Sequence, residues 1–327
     1  MPHPFRLRVR NPIRNMAAAL LALGLGLAAC KQEGRAESKP PPGGAPSSPS
    51  VGGKVGGAGK PIAPGPAADL RLSPDGSHAL YLANAEKPRL QGVPPSMVVG
   101  ELYEVPVAGG PARKLGSGVT NVPGGALISS DSRWALYLSG YSAANQEGAL
   151  QAFDLTDPNP SAEPIPLGRA VTYFLPSPDA KWLAFVDGGV LKVGPLGQKS
   201  FTDVAGEVST AEFAPDGSYL VFKRKLPANS GLVYVPIGKW QEQKKLGEQV
   251  GDYAVSPDSK RVAFTRRSES VPSTYDLYLA SAPKMEPKRV ALGAGLFAFS
   301  PDSKWLARTE GVKPELLGDL YVGPASG

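Results

Sequence analysis

One short word recurs six times along the chain and constrains its fold more than any other feature. The usual form is Ser-Pro-Asp followed by a small residue, and the copies begin at positions 73, 129, 177, 214, 256 and 300. Their aspartates are separated by 56, 48, 37, 42 and 44 residues. Repeats of that length are supersecondary units that cannot bury their apolar faces alone. We therefore expect six similar units packed against one another.

Each copy of the word has the chemistry of a hairpin turn. Proline presets φ near −65°, the aspartate can accept hydrogen bonds from N–H groups ahead of it, and the small residue tolerates an unusual dihedral. Apolar residues precede the word, and β-branched or aromatic residues follow it. A third apolar run and a shorter fourth one, such as Arg113-Lys114-Leu115, come later in the repeat. Each repeat is therefore predicted to be a four-stranded meander.

Aromatic residues keep a fixed register with the word. They stand six positions after the aspartate in five of the six copies: Tyr81, Tyr137, Phe185, Phe222 and Phe264. Tryptophans occupy the third position in three copies: Trp134, Trp182 and Trp305. Because these positions are equivalent in the repeats, we expect the side chains to pack inside the fold.

With this register, the chain from about residue 60 to 327 resembles the TolB-like, WD-repeat-like propeller family. The resemblance implies an all-β fold, a six-bladed β-propeller of four-stranded antiparallel blades over residues 59–327. It does not extend to the N-terminal α/β domain of TolB. A β-sandwich with repeated turns is the alternative, although sandwiches rarely repeat a turn word at blade spacing. The register is specific for the fold and nearly uninformative about function.

The two ends of the repeat region are expected to meet in the last blade. That blade has three predicted strands before position 327 and lacks the fourth. Upstream, the segment 60–63 precedes the first strand just as the segment 288–291 precedes the strand at 297–299. We therefore predict that residues 60–63 complete the last blade and close the ring, which removes an open sheet edge.

The N-terminal residues have the pattern of a targeting signal. Residues 1–29 combine four arginines with an apolar run from Met16 to Ala29, a pattern typical of a secretory signal peptide. The run ends in Leu27-Ala28-Ala29-Cys30, which resembles the lipobox of bacterial lipoproteins and implies lipidation of Cys30. Lys31 follows where an aspartate is the usual inner-membrane retention signal, so that resemblance favours the outer membrane, on either its periplasmic or its outer side. An ordinary signal peptide with a chance cysteine is the alternative.

Composition separates a linker from the domain and argues against nucleic acid as a partner. Residues 30–58 are rich in Gly, Pro and Ser and predict a disordered linker. The net charge of +6 resides largely in the N-terminal segments, because residues from Lys60 onward carry 27 basic and 27 acidic side chains. A neutral domain gains little affinity from counterion release on DNA or RNA.

The sequence contains few of the residues that catalysis or metal binding uses. It has one cysteine and two histidines, and it contains no GxSxG, HExxH or P-loop motif. Glu212 and Arg71 are the polar exceptions among the mostly apolar residues predicted to face the central channel. We therefore expect no enzyme activity, no cofactor and no metal. The word's aspartates are interpreted as turn residues, not calcium ligands.

The uneven loops between the second and third strands predict where a partner binds. The long ones belong to blades five, six, one and two, which are neighbours in a closed ring, and binding residues concentrate on such loops. Arg and Tyr are enriched in protein interfaces; solvated insertions without a role are the alternative. The candidate partner-binding residues are Lys87, Arg89, Met97, Tyr141, Arg266, Arg267 and Tyr275.

Three functions remain open at this point. The first is a non-catalytic interaction module, a scaffold or assembly factor of the bacterial cell envelope that acts as a monomer on one or more envelope proteins. The second is a six-bladed propeller enzyme of the lactonase or sugar-dehydrogenase kind. The third is capture of a small ligand in the central channel.

The lipid anchor can be tested directly. Replacing Cys30 with Ser should abolish incorporation of radiolabelled palmitate. It should also move the protein from the membrane to the soluble fraction, because each buried acyl methylene contributes about 0.8 kcal/mol of membrane affinity. A Ser50→Ala variant in the linker should keep both the label and the membrane location. Undiminished labelling of Cys30→Ser would contradict the assignment.

Overall fold

The computed structural model describes residues 67–88, 94–122, 124–159, 161–225, 231–271, 273–311 and 318–326. Cys30, the linker, the segment 60–63 and Arg89 lie outside these ranges, so the expectations for them stay predictions. No helix in the ranges is long and apolar enough to cross a membrane.

Within these ranges the secondary structure is all β, as predicted, and forms the six blades of a β-propeller. Blade one contains β1 (Ala67–Leu72), β2 (His78–Glu86), β3 (Val99–Pro106) and β4 (Arg113–Thr120). Blades two and three contain β5 (Ala126–Ile128), β6 (Trp134–Ser142), β7 (Glu147–Asp154), β8 (Ile165–Pro176), β9 (Trp182–Asp187), β10 (Val190–Pro195) and β11 (Thr202–Ala205). Blade four contains β12 (Val208–Phe213), β13 (Tyr219–Arg224), β14 (Leu232–Pro236) and β15 (Lys244–Gly247). Blade five contains β16 (Val250–Val255), β17 (Arg261–Arg267), β18 (Tyr275–Ser281) and β19 (Glu286–Ala291), and blade six contains β20 (Phe297–Phe299), β21 (Trp305–Glu310) and β22 (Asp319–Pro324).

The strands of each blade pair antiparallel in chain order, as expected for a meander. Blades two and three were each predicted to have four strands of their own, but together they have seven. The long strand β8 pairs with β7 through its first half and with β9 through its second half, and Val171 is paired on both sides. One strand therefore serves as the fourth of blade two and the first of blade three, which joins the two blades into a seven-stranded sheet.

The repeated word folds as the predicted turn. In all six copies the aspartate Oδ1 accepts the backbone N–H two residues later, at 2.9–3.2 Å. In the five copies that begin with Ser, the Ser Oγ donates to the same carboxylate and accepts the N–H of the residue five positions later, as in Ser256 with Asp258 (2.6 Å) and Arg261 (2.9 Å). The fourth residue has φ between +54° and +73° in every copy, which explains the small residue there.

The turns also bond one blade to the next. Ser259 Oγ of blade five accepts the N–H of Asp216 in blade four at 2.9 Å, and Ser303 of blade six does the same for Asp258. Ser132 of blade two accepts the N–H of Asp75 in blade one at 3.0 Å. These three serines all stand at the fourth position of the word. In these three copies the fourth residue therefore supplies both the turn conformation and a link between blades.

Each interface between consecutive blades, from one–two to five–six, contains a buried hydrophobic cluster. Four of the five aromatic residues six positions after the aspartate lie in these clusters and are fully buried: Tyr137, Phe185, Phe222 and Phe264. The fifth, Tyr81, is 4% exposed and packs with other residues of blade one. Burying one large apolar side chain contributes about 1.5–3 kcal/mol, so these interfaces contribute much of the folding free energy. The predicted packing role of the aromatic register is confirmed for all five residues.

The faces where blades six and one should meet are less well covered. Leu320, Val322 and Trp305 lie on the face of blade six opposite Leu306, which is buried against blade five. The first three are 71%, 62% and 50% exposed. Leu70 of blade one, on the face turned away from blade two, is 70% exposed. The expectation that Trp305 packs inside the fold is therefore wrong, whereas Trp134 at the equivalent position is buried.

Removing one serine hydroxyl from the turn should measure its contribution to stability. Ser256→Ala deletes a buried donor and acceptor, so we expect the free energy of unfolding to fall by about 1–2 kcal/mol in a urea titration. Ser270→Ala, at an exposed serine whose hydroxyl has no role in a turn word, should change it by less than about 0.5 kcal/mol. Equal effects in the two variants would argue against the proposed role of the turn.

Candidate partner-binding surface

The loops between second and third strands share one face of the propeller with the blade-to-blade connections. Asn121, between blades one and two, donates its N–H to the Val98 carbonyl at 3.2 Å and accepts the Val98 N–H on its side chain at 2.8 Å. Ala294, between blades five and six, donates its N–H to the carbonyl of Tyr275 at 2.6 Å. We call this face the loop surface. It comprises the strand residues next to these loops and the described loop residues 87–88, 94–98, 143–146, 188–189, 225, 231, 268–271, 273–274, 311 and 318.

The strand bounds change which loops are long. Blade two has a turn of only four residues, 143–146, because β6 and β7 continue until Ser142 pairs with Glu147. The interval between β13 and β14 of blade four is residues 225–231, as long as the interval 268–274 of blade five. The long intervals therefore belong to blades four, five, six and one, and the inclusion of blade two was wrong.

Blade five has the best-defined long loop. Ser268 accepts the N–H groups of Ser270 and Val271 on its Oγ, at 3.3 and 3.2 Å, and donates its own N–H to the Thr274 carbonyl at 2.9 Å. The Thr274 hydroxyl donates to the Val271 carbonyl at 2.8 Å. These bonds connect the two ends of the loop, and the Val271 side chain is 44% exposed.

Three of the predicted binding residues lie beside that loop. Arg266 forms an ion pair with Glu269, so its positive charge is partly compensated within the loop. Arg267 is exposed, and its side chain makes no ion pair within the described part of the chain. Tyr275 is 42% exposed, and its ring lies against Gly251, where an added Cβ would be 3.2 Å from Cε1. The loop surface on blade five thus combines a free guanidinium, a phenol and an exposed valine.

The other predicted binding residues differ in exposure. Lys87 of blade one is exposed. Met97 is only 3% exposed, so its side chain is buried inside the blade-one loop. Its predicted contact with a partner is therefore not possible in this conformation. Tyr141 of blade two is half-buried and packs against the cluster between blades two and three, and this burial raises its pKa above the ordinary value. The structure therefore groups the blade-five residues and separates them from Tyr141.

Other polar side chains form structural pairs. Glu104, which is 2% exposed, accepts from Arg113 and contacts His78 Nδ1 at 2.8 Å. Asp276, which is 1% exposed, pairs with Arg289. Among the residues that the structure describes, no group of three or more His, Cys, Asp or Glu side chains is placed to hold a metal ion.

Comparisons with known proteins give likenesses of fold at low sequence identity. No family model matches the sequence, and no curated protein matches it. An oligogalacturonate lyase from Vibrio parahaemolyticus is 15% identical with a TM-score of 0.46, over 78% of this chain and 73% of that one. TolB from Acinetobacter baumannii is 16% identical with a TM-score of 0.37, over 80% and 61%. A eukaryotic initiation factor is 13% identical with a TM-score of 0.49, over 79% and 76%.

Proposed function

We propose that this propeller is a non-catalytic protein-interaction module, a scaffold or assembly factor held in a bacterial cell envelope by a lipid on Cys30. The observation that carries the proposal is the group formed by Arg267, Val271 and Tyr275 on the loop surface of blade five. A guanidinium, an exposed aliphatic side chain and a phenol together suit a protein interface, where Arg and Tyr are the residues that most often dominate affinity.

The conformation of the blade-five loop supports this role. Binding a partner with a flexible loop requires ordering each side chain, at about 0.5–1.5 kcal/mol per residue. The Val271 N–H and carbonyl are bonded to the hydroxyls of Ser268 and Thr274, which restrains the backbone at Val271. A restrained residue loses less conformational entropy on binding, which favours affinity.

The lipobox-like sequence before Cys30 supports a location at a membrane. A lipid on Cys30 would confine the propeller to one membrane face, and Lys31 favours the outer membrane by the rule for lipoproteins. Partners would then be other proteins of the same envelope, encountered in two dimensions. The linker of residues 30–58 would give a reach of about 30 Å as a random coil.

Site-specific photo-crosslinking in living cells tests the proposal. A photoreactive amino acid at position 271 should give a discrete crosslinked band with an envelope protein. Arg267→Glu should weaken that band at least fivefold, because it replaces an exposed cation by an anion in the contact. The melting temperature should stay unchanged, since Arg267 is exposed.

Lys199 provides the matched control on the opposite face. It is exposed and lies in the turn between β10 and β11, on the same face as the repeated turns. A photoreactive residue at position 199 should not give the band, and Lys199→Glu should leave crosslinking from position 271 intact. The proposal fails if position 271 gives no specific band, or if the band persists at full strength in Arg267→Glu.

A further inference from the structure

Blade six ends in a strand whose outer edge has no partner in the described part of the chain. Its sheet has the order β20-β21-β22, and β22 (Asp319–Pro324) pairs only with β21. The backbone N–H and C=O groups on the other side of β22 are therefore open to another strand. An open edge is a template for pairing with a further chain unless the protein protects it.

The outer strands of three other blades carry residues that protect an edge. β4, β15 and β19 each contain two adjacent Lys or Arg side chains, at positions 113–114, 244–245 and 288–289. β22 contains no basic residue, and its centre is Leu320-Tyr321-Val322. Because charged side chains at an edge discourage pairing with another strand, β22 is the least protected of these four strands.

β22 also carries an exposed apolar face. Leu320 and Val322 lie on the same face of blade six as Trp305, and all three side chains are half or more exposed. Tyr321 lies on the other face, the side on which Leu306 is buried against blade five. A strand added to β22 with apolar side chains on the first face would bury part of this surface, which is favourable in water.

The face of Tyr321 has complementary charges near the two ends of β22. Asp319 lies directly across from Glu310 of β21, and it makes no ion pair within the described ranges. At the other end, a Cβ added to Gly323 would be 3.3 Å from Nη1 of Arg308. Arg308 donates from Nε to Glu310 at 2.6 Å, and Nη1 makes no hydrogen bond with a described residue. One end therefore has an unpaired carboxylate, and the other has a guanidinium beside an empty side-chain position.

We propose that a second copy of this chain pairs with β22, antiparallel and strand to strand, about a two-fold axis at Tyr321. In this register Leu320 of one copy lies opposite Val322 of the other, and Asp319 lies opposite Gly323. Side chains directly opposite in an antiparallel pair have Cβ atoms about 4.5–5.5 Å apart. The Asp319 carboxylate of each copy therefore reaches the empty position beside Arg308 of the other. The interface is isologous, so this ion pair forms twice.

The charges select this register over its neighbours. A pairing centred on Leu320 would place Asp319 opposite Tyr321, where a side chain already fills the position. A pairing centred on Val322 would place Asp319 opposite Ala325, beyond the end of β22. The register centred on Tyr321 joins the apolar faces of the two copies and also places each carboxylate beside a guanidinium.

Residues 60–63 of the same chain are the other candidate for this edge, because the sequence pattern predicts that they complete blade six. They lie outside the described residues. The segment 60–66 contains three prolines, which have no N–H to donate to a strand, and it contains no carboxylate that could pair with Arg308. These two features favour the second copy, and the two occupants exclude each other.

This dimer goes beyond the proposed function and replaces the monomer that the sequence alone led us to expect. It uses none of the loop-surface residues Arg267, Val271 and Tyr275. Arg267→Glu should therefore weaken crosslinking to an envelope protein and leave the dimer unchanged, so the two proposals can fail independently.

Disulfide trapping with the purified full-length chain tests the pairing. Tyr321 lies opposite its own counterpart in the proposed register, so Tyr321→Cys should give a disulfide-linked homodimer after mild oxidation, because Cα atoms about 4.4–6.8 Å apart can be bridged. A non-reducing gel and mass spectrometry would identify it. The wild-type chain, with Cys30 alone, is the reference. Val107→Cys is the matched control: Val107 is 54% exposed, against 45% for Tyr321, and lies beside the turn word of blade one.

Charge variants test the register. Added to Tyr321→Cys, Asp319→Arg should reduce the trapped dimer about tenfold, because it places two cations together where the proposal has an ion pair. Further addition of Arg308→Glu should restore much of the dimer, because it exchanges the two charges across the interface. Glu286→Arg, at an exposed glutamate on the outer strand β19 of blade five, should leave the yield unchanged.

The proposal is overturned if folded Tyr321→Cys gives no disulfide-linked homodimer, which is the result expected if residues 60–63 of the same chain occupy the edge. Equal trapping of Val107→Cys, or full trapping in the presence of Asp319→Arg, would also overturn it. If Tyr321→Cys does not fold, a mixture of Leu320→Cys and Val322→Cys chains gives the same readout, since these residues lie opposite each other in the register.

Discussion

The architecture depends on the hydrogen bonds that the aspartate carboxylate of the repeated word accepts. The N–H two residues later donates to it in all six copies, and a Ser Oγ two residues earlier donates to it in five. These bonds fix the hairpin between the first and second strands of a blade, and the serine Oγ, where present, also accepts the N–H at the start of the second strand. In blade six, the Ser300 hydroxyl and then the Lys304 N–H hold the pKa of Asp302 below its ordinary value. Hydrogen bonds to a charged group contribute about 1.5–3 kcal/mol, so they stabilise the hairpin that begins each blade.

The fold could be predicted from the sequence because the word and the aromatic register are local and repeated. What the prediction missed depends on contacts between repeats. β8 is one strand that belongs to two blades, and nothing in the local sequence pattern distinguishes it from two separate strands. Trp305 occupies the same register as Trp134, but it is exposed since the face of blade six that carries it is incompletely covered. Met97 looked like a loop residue by position, and only packing places it inside.

The candidate sites were predictable to different extents. Arg266, Arg267 and Tyr275 were found because they flank one loop in the sequence, and the bonds within that loop were not foreseeable. Glu212 stood out as a polar residue in an apolar inner strand. The contacts of Tyr173 and Tyr253 with β12 join different blades, so they became visible only in the folded structure. Arg71, the other polar exception, instead bonds Asp69 and the Ala126 carbonyl of blade two and is structural.

Native-state hydrogen exchange at the word's aspartate amides tests the central claim most directly, that the turns join neighbouring blades. The N–H groups of Asp216 and Asp258 are bonded to serine hydroxyls of the next blade, although both belong to surface turns. The account predicts that they exchange as slowly as the amides at the centre of β13 and β17, since they open only with the blades. Exchange as fast as that of an exposed turn amide, such as Ala144, would contradict it.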